Sequence, residues 1–75
     1  IIDYKIKNKI YISIDIYDLK GNHIKNLLSK EMIAGSHKVQ WDSKNEKGLK
    51  VPSGVYVYTI KSNILSSSKK MILLK

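Results

Sequence analysis

The stretch Val39 to Ile60, VQWDSKNEKGLKVPSGVYVYTI, decides the fold class of this chain. Val39 and Trp41 alternate with Gln40 and Asp42, the period-2 pattern of a half-buried strand, and Val55 to Ile60 is almost wholly β-branched or aromatic. Two strands are predicted, joined by a slow reversal. Asp42, Ser43, Asn45, Gly48, Pro52, Ser53 and Gly54 favour turn backbone through Asx-type bonds, positive φ or fixed φ. Gly54, Tyr56, Tyr58 and Ile60 share one face, which predicts that the two tyrosines pack inward against Trp41. The opposite choice, Val55 and Val57 inward, stays open on periodicity alone.

Working outward, Ile2, Tyr4 and Ile6 alternate with Asp3, Lys5 and Lys7, giving a first strand with one apolar face. Ile10, Ile12, Ile14 and Ile16 then fall on one face and Tyr11, Ser13, Asp15 and Tyr17 on the other, which predicts a central core strand. Asp18 to Asn22 is a turn, and a hairpin return from His23 to Ser29 is anchored by Ile24 and by Leu27 or Leu28. A helix over residues 24–33 lacks an N-cap and meets Gly35 early, so strand and loop are preferred. His37, Val39 and Trp41 share a face. Lys61 to Ser68 reads as a turn and Lys69 to Lys75 as a closing strand, apolar on both faces at Met71 to Leu74. Such a strand either lies mid-sheet or offers one face at an edge to a partner. Seven strand-like segments joined by Gly, Asn, Ser and Pro turns predict a single all-β domain over residues 1–75, an antiparallel β-sandwich.

A chain of 75 residues buries only ~60% of its unfolded surface, so the core is thin. It has no Cys and hence no disulfide. Its longest apolar run falls far short of the ~20 residues a membrane-spanning helix needs, so no transmembrane segment is expected. The start at Ile1, directly on a strand pattern and without Met, predicts a piece of a longer protein. The net charge of +8 raises the question of nucleic acid. All fourteen basic residues are Lys, however, scattered from Lys5 to Lys75, whereas base and phosphate recognition lean on the Arg fork. A solvated lysine-rich surface is the reading, with no nucleic-acid partner.

Enzyme chemistry would need a nucleophile beside a base, paired carboxylates or clustered metal ligands. None is predicted. His23 lies in a turn and His37 on the Trp41 face, both read as structural. Asp42, Asn45 and Glu46 offer oxygen atoms, but the acidic spacing of a calcium loop is absent, so neither metal nor cofactor is expected. Asp42 is read instead as the start of an Asx turn.

Four segments in order, Ile14 to Gly21 (IDIYDLKG), Ala34 to Asp42 (AGSHKVQWD), Asn45 to Tyr58 (NEKGLKVPSGVYVY) and Lys70 to Lys75 (KMILLK), resemble the C-terminal sorting domain of type IX secretion cargo proteins. That domain is similar in turn to the Ig-like domain of the flagellar hook-capping protein. The resemblance spans nearly the whole chain; Ser43 departs from it, standing where Gly commonly follows the W-D. It implies an Ig-like sandwich at the C-terminus of a cargo, read as an address by the outer-membrane secretion machinery and removed by its signal peptidase. The location implied is the periplasm in transit, then the cell surface or medium. Matched residue by residue, Gly54, Tyr56 and Tyr58 fall in the first sorting motif. Lys70, Met71, Ile72, Leu73, Leu74 and Lys75 fall in the terminal one, with Lys69 beside it, and all are expected to meet the partner. Two further readings stand beside this one: an Ig-like assembly module of the hook-cap type, and an accessory carbohydrate-binding module of a secreted hydrolase. The latter calls for a row of exposed aromatics, and Tyr11 and Tyr17 stand too far apart to make one.

Overall fold

The structure, a computed structural model, describes residues 1–74. Its strands are β1 (Ile2–Ile6), β2 (Ile10–Asp18), β3 (His23–Met32), β4 (Gly35–Val39), β5 (Gly54–Lys61) and β6 (Ser66–Leu73). All pairings are antiparallel. β1 and β4 form a two-stranded sheet, and a four-stranded sheet runs β3-β2-β5-β6.

The isoleucine row of β2 sets this arrangement. Ile12, Ile14 and Ile16 are buried between the sheets, the last two completely, and each such side chain removed from water contributes ~1.5–3 kcal/mol. Ile2 and Ile6 of β1 meet them from the other layer, with Trp41, Val51 and Tyr56 closing the core. Trp41 and Tyr56 pack edge to face, ring centroids 5.2 Å apart, and the Tyr56 hydroxyl donates to the Pro52 carbonyl at 2.7 Å. A tyrosine near the start of a strand bonding back a few residues upstream is a recurring corner of Ig-like sandwiches. The inward choice for Tyr56 and Tyr58 therefore holds, and Val55 faces out.

Three sequence expectations are corrected. Six strands form among the described residues, not seven: residues 40–53 run as turns with only an isolated Lys44–Lys50 bridge, and the amides of Lys44 to Leu49 and of Val51 go into Asx and loop bonds there. The serine run is strand, not turn. Ser66, Ser67 and Ser68 pair with Lys61, Ile60 and Thr59, since the hairpin reverses earlier, at Ser62 to Leu65, where the Ser62 hydroxyl accepts from the Ile64 and Leu65 amides. Residues 24–32 are strand throughout, but irregular: β3 slips register against β2 beside Ile14/Asp15 and again beside Ile16/Tyr17. These bulges turn Leu27 and Leu28 both toward the core, so the choice between them does not arise.

The turns follow their chemistry. Asp18 Oδ1 accepts the amides of Lys20 and Asn22 at 2.9 Å, and Gly21 supplies the positive φ (88°) that reverses β2 into β3. Ser43 is the one non-glycine residue with positive φ among the described residues, at 66°.

Candidate recognition surface

The four-stranded sheet has one face in the core and one in solvent, and its two ends are β3 and β6. β2 alternates Ile with Ser13, Asp15 and Tyr17, so its polar positions form the middle of the outer face. There Asp15 is the hub: its carboxylate accepts from the Ser13 hydroxyl at 3.0 Å and from Asn26 Nδ2 at 3.0 Å, and Oδ1 lies 2.8 Å from His23 Nε2. Asn26 also donates to Ser29 Oγ at 3.0 Å, and Thr59, Asp15's neighbour on β5, bonds Ser68 Oγ at 2.9 Å. Burial pushes the Asp15 carboxyl up, but the hydrogen bonds from Asn26, His23 and Ser13, with the His23 charge, outweigh it and hold it below the usual carboxylate range.

Ser13 donates to the Asp15 carboxylate and not to the imidazole, and the network ties β2 to β3. Sequence reasoning placed Ser13 and Asp15 on the correct face but missed the cluster, because its Asn26 and His23 partners depend on the bulges of β3. His37 stacks on Tyr4 at 5.4 Å and bonds the Ile33 carbonyl at 2.8 Å. Asp42 Oδ1 accepts the Lys44 amide, Asn45 Oδ1 accepts those of Lys47 and Leu49, and Glu46 Oε1 accepts that of Asn26. The oxygen atoms weighed for calcium thus organise the loop.

The motif residues separate by parity along β5 and β6. Gly54 opens β5 opposite Leu73; Tyr56 is buried and Tyr58 half-buried, both packing inward. In β6, Met71 and Leu73 pack on the core and Lys69 follows their side, facing Tyr58 across the sheet. Lys70 and Ile72 take the other side, opposite Val57 and Val55, with Leu74 exposed just past the strand. Ile72 is 70% exposed. Lys75 lies outside the described residues. Of the residues expected to meet a partner, then, Lys70, Ile72 and Leu74 form an outward row, while Tyr56, Met71 and Leu73 are spent on packing. Tyr17 and Val57 extend the apolar strip across the sheet, with His23 edge-on to Tyr17. Tyr11 is exposed on this face too, six residues from Tyr17 and so roughly 20 Å away, with Ser13 and Asp15 between them.

β6 itself is regular. It pairs with β5 over eight consecutive residues without a register shift, and among the described residues no other strand lies beyond it. At the opposite end the long loop reaches β3: the Glu46 amide donates to the Ile24 carbonyl at 3.1 Å, and Lys25 stands 3.8 Å from the Glu46 carboxylate. Loop bonds thus reach the β3 edge at Ile24 and Asn26, while among the described residues none reaches the β6 edge.

A family model, that of the FlgD Ig-like domain, matches residues 5–65, leaving β6 outside the matched span. No curated protein and no solved structure matches the chain.

Proposed function

The chain belongs to the FlgD Ig-like domain family, and from that premise we propose that it is a non-enzymatic recognition module whose reader is the type IX secretion machinery of the outer membrane. The domain accompanies a cargo through the periplasm and is removed by the system's signal peptidase once the cargo reaches the surface. The observation that carries this reading is β6: an edge strand in unbroken register that holds Lys70 to Leu73 of the K-M-I-L-L-K motif and keeps Lys70 and Ile72 outward, with Leu74 exposed just past it. An edge strand supplies main-chain bonds to an incoming segment, and its outward side chains supply selectivity.

The parity of the motif dictates the test. Deleting residues 70–75 would strip Gly54 to Val57 of their partners and confuse unfolding with loss of recognition. The informative variant is Lys70→Glu with Ile72→Ser, which leaves Met71 and Leu73 in the core. The 75-residue chain is fused to the C-terminus of a fluorescent protein carrying a periplasmic signal, in a host with a working type IX system. Export of the parent and periplasmic retention of the folded double variant is the expected result. Equal export of both would remove β6's outward row from the mechanism. Retention of the parent itself, folded and uncleaved, would favour the second reading, an assembly or spacer module of the hook-cap type, which the family match supports.

A further inference from the structure

Between the two sheets, on the side where β1 and β6 stand without further strands, the sandwich is open. A groove of about 380 Å³ runs there over Ile6, Ile10, Ile12, Ile60, Ile64 and Leu65. A second hollow of about 200 Å³ continues it past Tyr58 and shares Tyr4, Ile60 and Ser67 with the first. Ile64 and Leu65, at the tip of the β5–β6 hairpin, are each 73% exposed, so the groove's apolar wall reaches into solvent. Its rim is cationic: Lys5 and Lys7 on one side and Lys69 on the other, with Asp3 the only carboxylate in its lining. The whole chain reinforces that sign at +8.

Resting on the recognition reading above, we infer that this groove and the β6 edge together receive one extended acidic segment of a partner protein, with apolar and acidic residues in alternation. Three features fit that occupant. Beside the groove, β6 offers backbone donors and acceptors over the eight residues Ser66 to Leu73, enough for a full added strand. An added strand turns alternate side chains the same way, so its apolar set points toward the groove on the side of Ile60 and Leu65. Its acidic set meets Lys5, Lys7 and Lys69. The lysines also discriminate: two copies of this chain pairing along β6 would set lysine against lysine, while an acidic strand neutralises them.

The test is a titration of the isotope-labelled 75-residue chain, followed by amide shifts, with three probes: an octapeptide of alternating valine and glutamate, one of alternating valine and lysine, and dodecyl phosphate as a lipid mimic. The acidic peptide should shift amides in residues 4–12 and 60–69, bind at least tenfold tighter than the basic one, and slow exchange along β6. The double variant Ile64→Ser, Leu65→Ser, altered only at exposed turn positions, should bind at least fivefold more weakly with its remaining spectrum unchanged. Lys5→Glu with Lys7→Glu should reverse the preference between the peptides. Equal binding of both peptides, shifts away from the groove, or occupation by dodecyl phosphate alone would overturn the inference. Because no export is measured, peptide binding survives a negative export experiment, and the two readings fail separately.

Discussion

Along β3 the outer backbone of the four-stranded sheet is bulged twice and bonded at Ile24 and Asn26 by Glu46, whereas along β6 it is straight, in unbroken register and free. The two edges carry the same risk, since any unpaired strand is a template for another chain. One is partly covered, at Ile24 and Asn26, by the protein's own loop. The other carries Lys69 and Lys70, which discourage pairing with a second copy yet leave the edge open to a segment of opposite charge. The difference teaches where partner binding belongs: on the edge the fold does not finish for itself.

The comparison breaks most severely at Trp41. Its ring packs on Tyr56 and its Nε1 donates to the Lys44 carbonyl at 2.9 Å, so it is the pin of the loop that reaches β3. Trp41→Ala should cost ~4 kcal/mol in urea unfolding, a large share of the ~5–10 kcal/mol expected for such a domain. It should also make any remaining folded protein associate through β3, visible by size exclusion. A variant that loses stability but stays monomeric at micromolar concentration would show that the bulges alone protect that edge.

Glu46→Ala tests the loop's grip more gently. Loss of the carboxylate that accepts the Asn26 amide should cost ~1 kcal/mol and speed exchange of that amide about fivefold, with β6 amides unchanged. Equal acceleration at both edges would mean the sheet opens as one unit.

Ser43→Gly should tighten the same loop. A non-glycine residue at φ 66° carries steric cost that glycine lacks, offset in part by glycine's greater freedom when unfolded, so a gain of ~0.5–1 kcal/mol and a rise of a few degrees in Tm are expected. Ser43→Ala, which keeps the Cβ, should give no such gain.

The mildest effect is read in pH. The folded Asp15 carboxyl titrates below its ordinary value near ~3.9, so its stabilisation is complete above about pH 4 and is lost as pH falls through the lowered folded value. Acid should therefore loosen β3 from β2 before it affects the β5–β6 pairing, and Asp15→Asn should flatten that part of the stability curve. An unaltered acid limb in Asp15→Asn would assign the dependence to other carboxylates.

Much of this architecture is legible in the residues because side-chain parity in a strand is fixed by geometry. The Ile row of β2, the shared face of Tyr56 and Tyr58, and the alternation of β1 all emerge from a period of two, while which face of β5 turns inward is shown by the packing on Trp41. Bulges break that period, and nothing local marks them: Leu27 and Leu28 are ordinary strand residues whose shared inward turn depends on a partner strand. The serines of β6 were misleading for a related reason, since Ser62, not Ser66 to Ser68, supplies the hydroxyl that makes the hairpin. The terminal motif could be located by its residues, but which of them face out depends on β6 lying at an edge, a property of the whole sheet. Ser43 is the converse case: its departure from the glycine of the resembled pattern falls on a backbone position with φ 66°, where that glycine would relieve strain.

The pairing of β1 with β4 joins Ile2 to Val39 and Ile6 to Gly35, partners 29 to 37 positions apart along the chain. The β2–β3 and β5–β6 hairpins need only short loops and can form in microseconds, whereas β1 has to wait for a loop of some thirty residues to close. By loop length, the two hairpins precede both the β1–β4 pairing and the β2–β5 pairing, whose partners lie 38 to 48 positions apart, and both of these are needed to wall the lysine-rimmed groove. A chain interrupted late in folding would already possess β6 but not the groove beside it, so the order of events in time, and not only the finished shape, separates an immature domain from one ready to be bound.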